Sequence, residues 1–276
     1  MTKTDGFRDE RIKELTKIYD YQLEGWIYRG QKDSKEGLKT TLERACENYG
    51  LRLLPNDAKR IEERLLREFQ RKYHHYSQHI PDSGNTLEWL SLMRHYGAPT
   101  RLLDFTYSFY VAAYFALEEA EKDCAVWAIN TEWAVEESKA KFTKGTAAWR
   151  FLKEFITHEK EKAFKKVFMR ADHKKFACPQ NPFRLNERLT IQKGTFMCPG
   201  DVTSSFEENL RSLSGSDKKQ NIVKIIIPHR FRRHILDILD GMNISRAALF
   251  PDLDGFAKSL NVSPPKGWNK GWDDSM

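Results

Sequence analysis

The chain has 276 residues, enough for one large domain or two small ones with a substantial core. Hydrophobic residues make up 40% and aromatics 12%, which excludes an intrinsically disordered chain. Lys plus Arg exceed Asp plus Glu by 46 to 39, with no block of like charges to mark a basic arm, so an anionic partner is allowed and not demanded.

Residues 8–24 place Ile12, Leu15, Ile18 and Tyr19 at helical spacing among charges, which predicts a helix broken at Gly25. Trp26–Gln31 reads as a short strand. Helices are expected at about 36–49, 56–79 and 85–95, with Asn56 or Asp57 capping the second and Asn85 or Thr86 the third. A Gly-Ala-Pro-Thr-Arg turn at 97–101 leads into the apolar pair Leu102-Leu103, which carries Asp104 and Thr106. The helix at 108–122 has Ala112, Ala113 and Ala116 free to pack tightly on a sheet. Residues 124–129 form a buried-looking strand, and 131–172 a charged helical stretch read as an insertion packed on the outside. A polar loop at 179–182 precedes a strand at 195–197. The clearest later strand is Ile222–Ile227, closed by Pro228. Helices at about 229–241 and 253–261 follow, and a loosely ordered tail from Ser263.

Strands scattered among many helices favour an α+β fold, a mixed sheet core surrounded by helices, over a doubly wound parallel sheet. The reading is one domain over 1–262, with 131–172 as the helical insertion and 263–276 as the tail. No G-x-G-x-x-G, P-loop, H-E-x-x-H or G-x-S-x-G pattern is present, so the commonest nucleotide, metalloprotease and hydrolase fingerprints are missing. Cys46, Cys124, Cys178 and Cys198 share no C-x-x-C spacing, which argues for reduced thiols and against structural zinc. His74, His75 and His79 lie on a basic helix face and read as solvated. No stretch reaches the length of a membrane span and no secretory leader is visible, so a cytoplasmic location is expected.

The densest region is His95 to Ala116, where a His, an Arg, an Asp and a Thr gather around one strand end between tight turns. Rigid strand-to-helix junctions are where α/β proteins build sites. A buried Arg101–Asp104 pair fixing the turn would explain the same residues.

Tyr28-Arg29-Gly30 after an aromatic strand, the run from His95-Tyr96-Gly97 through Thr100-Arg101-Leu102-Leu103-Asp104-Phe105-Thr106, and Ala112-Ala113-Tyr114-Phe115-Ala116 resemble the FRG domain family. Asn186-Glu187-Arg188 with Gln192 to Phe196, and Leu249 to Gly255, also match its pattern. The resemblance implies a protein of bacteria or their viruses, in settings that suggest toxins or defence against phage. More distantly, the organisation resembles ADP-ribosyltransferases, which implies a core of that type and NAD as substrate, with no metal. On that resemblance Arg29, beside Gly30, would hold the NAD phosphates and ribose. Thr106 and Ser108 would brace the nicotinamide pocket, Asp252 or Asp254 would be the late acid, and Gln192 could contribute from the preceding loop. The sequence departs from the enzyme pattern: it has no Ser-Thr-Ser run, and its late acid sits in Pro-Asp-Leu-Asp-Gly.

Asp104 is read as either catalytic or paired with Arg101 or Arg29. Arg101, with Thr100 beside it, is read as ligand-binding or site-bracing, and His95 as a site residue or a helix cap. Thr106, Asp252 and Asp254 could equally be N-caps. Three functions follow. The first is an NAD-consuming transferase or glycohydrolase with an unknown macromolecular acceptor, nucleic acid included, and a neutralising or immunity protein. The second is a non-catalytic nucleotide or nucleic-acid binding module using Arg29 and Arg101 as phosphate clamps. The third is a nuclease with a divalent metal on Asp104, Asp252 and Asp254.

Overall fold

The computed structural model describes residues 7–50, 57–153, 158–170 and 172–260. Seven strands form one mixed sheet: β1 (Asp9–Arg11), β2 (Trp26–Gln31), β3 (Leu103–Thr106), β4 (Cys124–Asn130), β5 (Ala177–Gln180), β6 (Gly194–Pro199) and β7 (Ile222–Ile227). Their order is β1-β7-β4-β2-β3-β6-β5, antiparallel throughout except for the parallel β1–β7 edge pair. The α+β class is as the sequence implied.

Because side chains alternate along a strand, each face of the sheet builds its own core. Ile27, Phe105, Trp127 and Ile129 belong to one. Tyr28, Val126, Ala128 and Ile225 belong to the other, beneath α4 (Phe109–Leu117) and α10 (Arg232–Gly241). The alanines of α4 allow a very close approach to β2. A Cβ on Gly30 would lie 2.1 Å from the Ala112 carbonyl oxygen and 2.5 Å from the Ala116 nitrogen, so glycine is required there by space alone.

Helical spacing at 8–24 is overridden by pairing. Residues 9–11 become β1 against the edge of β7, the Ile12 amide donates to the Ile226 carbonyl at 3.0 Å, and only Leu15–Tyr21 forms a 3-10 helix. Helix α1 (Thr41–Asn48) starts later than expected, at a capping box of Thr40 and Glu43. Helix α3 (Thr86–His95) stands where the periodicity put it, but α2 (Asp57–Tyr73) ends six residues before the expected 79, so His74, His75 and His79 lie in the turn and loop beyond it and not on a helix face.

The segment 131–172 is a correction. Its helices α5 (Thr131–Ala140), α6 (Ala147–Lys153) and α7 (His158–Phe168) bury Val135, Leu152, Phe164, Val167 and Phe168 in the first core, so this is a wall of the domain and not an outer insertion. The polar loop at 179–182 begins as the edge strand β5, where Pro179 is tolerated because an edge strand has one unpaired side. Short helices α8 (Glu187–Ile191) and α9 (Phe206–Arg211) are capped by the Asn186 and Ser205 side chains. Helices α11 (Arg246–Leu249) and α12 (Leu253–Ser259) close the described chain. Asn56 and the tail from Ser263 lie outside the described residues. Among the described residues no helix is long and apolar enough to cross a membrane.

Candidate functional site

Strand β2 pairs with β4 at six positions and β3 with β6 at four, but β2 and β3 meet at a single pair, Tyr28 with Thr106. Beyond it the two strands diverge, and a cleft of about 1020 Å³ opens in the split. Residues 28–31 of β2 line one side and residues 104–106, Gly194 and Phe196 the other. The end of α3, α8, Phe115 and Phe250 complete the wall.

Past the last ladder pair a side chain joins the strands. The Arg29 Nη1 donates to the Asp104 carbonyl oxygen at 2.7 Å and lies 3.6 Å from its Oδ2. Arg94, in the last turn of α3, donates to the same Oδ2 from Nε at 2.8 Å and from Nη2 at 2.5 Å. Arg44 and Arg188 also line the cleft, and neither has an ion-pair partner among the described residues. Arg94 and Arg29 thus share one carboxylate, which also acts on Arg188, while Arg44 acts on Arg29. Burial pulls Arg29 down to about 10; Asp104 opposes this, while Arg94 and Arg44 add to it. Arg29 remains charged at neutral pH. Its Nε is buried with no hydrogen-bond partner among the described residues. Burial would raise the Asp104 carboxyl, but Arg94 and Arg29 outweigh it and hold it below the usual carboxylate range.

The rest of the lining is a paired rim and an aromatic wall. Glu118 accepts from the Tyr114 hydroxyl at 2.9 Å and from Arg246, Lys32 pairs with Glu119 at 3.4 Å, and Lys39 with Glu47 at 2.8 Å. Phe250 carries the Arg188 guanidinium at 4.1 Å and that of Arg246 at 5.0 Å, with Phe115 edge-on at 5.9 Å. Half-buried His95 is held below its ordinary value by burial and by Arg188, with Asp252 opposing.

Of the residues singled out from sequence, Arg29, Gly30, His95, Asp104, Thr106 and Gln192 line the cleft. The Thr106 hydroxyl donates to the Gln192 carbonyl at 2.7 Å, tying β3 to the loop before β6, and the Gln192 amide donates to the Leu249 carbonyl at 3.0 Å.

Five expected residues are elsewhere. Arg101 is 1% exposed and pairs with the fully buried Glu62, while its Nη1 donates to the Phe168 and Pro199 carbonyls. It braces the core; it pairs with neither Asp104 nor the cleft. Thr100 is fully buried, its backbone amide donating to the Thr41 hydroxyl at 3.0 Å. Ser108 caps α4 by accepting from the Val111 amide at 3.3 Å. Asp252 caps α12 through the Gly255 amide at 2.6 Å, and Asp254 forms an exposed pair with Lys258 at 2.7 Å. Neither lines the cleft. Asp104, Asp252 and Asp254 therefore have three separate structural tasks, and the donor set of the metal-dependent nuclease reading does not assemble.

Arg44, Arg94, Arg188 and Phe250 were not singled out. Arg188 and Phe250 lie inside motif blocks already quoted and were accessible by that route. Arg94 reads in sequence as a cation favoured by the helix C-terminus. Arg44 sits in a helix with no distinguishing pattern.

No curated protein and no solved structure matches the chain. The family model of the FRG domain matches residues 24–124, the span that supplies Arg29, Gly30, Arg94, His95, Asp104 and Thr106, while Arg188, Gln192 and Phe250 complete the cleft from beyond it. Residues 24–124 are thus what the chain shares with the FRG domain, and most of the cleft lining comes from that span.

Proposed function

We propose that the cleft binds NAD by its diphosphate and that the protein is an NAD-consuming enzyme of the ADP-ribosyltransferase type. One observation carries the reading: Arg29 and Arg94 share the single carboxylate of Asp104, Arg44 and Arg188 line the same cleft with no ion-pair partner among the described residues, and Arg29 keeps a buried Nε with no partner among them. A diphosphate supplies the missing negative charge, and guanidinium forks match it in a bidentate way that ammonium groups cannot. The cleft has room for a dinucleotide, and Phe115 and Phe250 offer it apolar ring surface.

Cleavage breaks the bond from ribose C1′ to the nicotinamide nitrogen. The bonding pair leaves with nicotinamide, and water or an acceptor adds to the cationic sugar and releases a proton. A carboxylate facing the ribose stabilises that cation. Asp104 and Glu118 line the cleft and are available for this role; Asp252 and Asp254 are not. Use as a toxin or phage-defence effector, with an intracellular acceptor and a neutralising partner, extends the same proposal.

A non-catalytic nucleotide-binding module is the second reading. It is favoured by Asp104 and Glu118 both being engaged by arginines already. Both are tested by incubating the protein with NAD, with and without cell lysate, and following nicotinamide release beside an Arg29→Ala control, with calorimetric titration of NAD in parallel. Arg29-dependent release supports the enzyme, and its lysate dependence separates transfer from hydrolysis. Arg29-dependent binding without release supports the module. Neither binding nor release refutes both.

A further inference from the structure

The geometry points to a second anion-recognition surface, away from the cleft: an arginine ridge on α2 that docks the phosphodiester backbone of a nucleic acid. Helix α2 turns Ala58, Glu62, Phe69 and Tyr73 inward, where Glu62 meets Arg101 and Tyr73 packs edge-on against Trp89 at 5.3 Å. At 3.6 residues per turn, Arg60, Arg64, Arg67 and Arg71 fall within an arc of about 60° on the opposite side. All four are exposed. They recur every 4.5–6 Å or so along about 16 Å of helix.

Three things distinguish this crest from an ordinary solvated helix face. Arg60, Arg64 and Arg67 have no hydrogen-bond or ion-pair partner among the described residues. Of the nearby acids, Glu63 pairs with Lys59 on the flank at 3.9 Å, and Glu68 with Lys72 at 3.4 Å and with Arg71, at the C-terminal end of the crest, at 3.1 Å, which leaves the first three crest arginines unneutralised. Every crest position is arginine, whose planar fork matches phosphate oxygens, where lysine would serve solubility equally well. A regularly spaced row of guanidiniums on a rigid rod, three of the four without an ion-pair partner among the described residues, complements a regularly spaced row of phosphates.

The test is fluorescence anisotropy with labelled single-stranded RNA, single-stranded DNA and duplex DNA, each of about 20 residues per strand, over a salt series from about 50 mM. Wild type is compared with Arg60→Ala/Arg64→Ala/Arg67→Ala and with an equal-charge control, Lys13→Ala/Lys218→Ala/Arg230→Ala, at exposed positions elsewhere. The ridge variant should lose about tenfold or more in affinity at low salt, and its salt slope on single strands should fall by about 2, or about 0.7 per lost phosphate contact. The control should change by less than about threefold. The polymer bound more tightly by wild type identifies RNA or DNA as the partner. Equal losses in both variants, no loss in the ridge variant, or no binding to any of the three polymers would overturn the assignment. So would tighter binding to polyglutamate or to phosphatidylserine vesicles. Should the triple variant fail to fold, Arg64→Gln and Arg67→Gln singly carry the same test, each lowering the slope by about 0.7.

Discussion

Arg101 reads in sequence as ligand-binding or site-bracing, while the structure pairs it with Glu62 in the core, and its substitution separates the two roles. Arg101→Met removes the partner of Glu62, which is fully buried, and leaves the Phe168 and Pro199 carbonyls without their donor. Burial works against the Arg101 charge, but Glu62 more than compensates. Breaking a buried pair from one side costs about 3–5 kcal/mol, because an uncompensated carboxylate stays in the core. Against a total stability of about 5–15 kcal/mol that is a fifth of the fold or more. At roughly 2–4 °C per kcal/mol for a chain near this size, Tm should fall by about 6–20 °C. Arg101→Met/Glu62→Leu removes both charges and should recover part of the loss, short of wild type because the two carbonyls stay unpaired. Urea denaturation of the three proteins measures the cycle, and calorimetric titration of NAD at a temperature where all are folded measures the site. Arg101→Met should bind NAD like wild type. A tenfold weaker affinity with an unchanged unfolding midpoint would refute the argument and restore Arg101 as a phosphate clamp.

Other expectations follow from the same geometry. Gly30→Ala drives a Cβ into two backbone atoms of α4 and should cost about 1–3 kcal/mol or more, read as a lower urea midpoint; an unchanged midpoint contradicts the close seating of α4 on β2. Asp104→Asn removes the carboxylate shared by Arg29 and Arg94, so pyrophosphate should bind more tightly by calorimetry while the fold weakens; weaker binding would mean that Asp104 orients the arginines more than it neutralises them. His95 is depressed in the folded state, so its contribution to stability is complete above about 6.5 and declines as pH falls below that value. A bound diphosphate should raise it, and an imidazole NMR titration that stays put on adding NAD would place the anion away from His95.

How much of this was legible depended on whether the determining contacts were local. Strands β2, β4 and β7 are short apolar runs bounded by breakers, and each formed where it was read. The helix expected over 8–24 lost its first turn, residues 9–12, to β7, some 210 residues away, which no local pattern reports, and kept only the 3-10 segment Leu15–Tyr21. In 131–172 the charges drew attention while Phe151, Phe164 and Phe168, which fill the core, did not. The site divides in the same way. Arg29, His95, Asp104 and Thr106 were accessible because they sit in short motif blocks. The choice between Arg94 and Arg101, seven residues apart, was not, because it is made by Glu62 on α2, which takes the second into the core and leaves the first to Asp104.

The cleft follows from that division of labour. Arg101, anchored to Glu62, Phe168 and Pro199, fixes the start of β3 from within the core. Thr106 fixes its end to the Gln192 loop and meets Tyr28 in the only ladder pair with β2. Between these anchors β3 is committed to β6, while β2 is drawn to β4 and, through Gly30, against α4. The strands must part, and the polar groups along the opening have to be satisfied by something other than a backbone ladder. Arg29 does this with one nitrogen and keeps another without a partner among the described residues. The cleft is therefore a consequence of how the sheet is held open, and substitutions that close or loosen the split should weaken NAD binding, measured by calorimetric titration, even when they touch none of the four arginines.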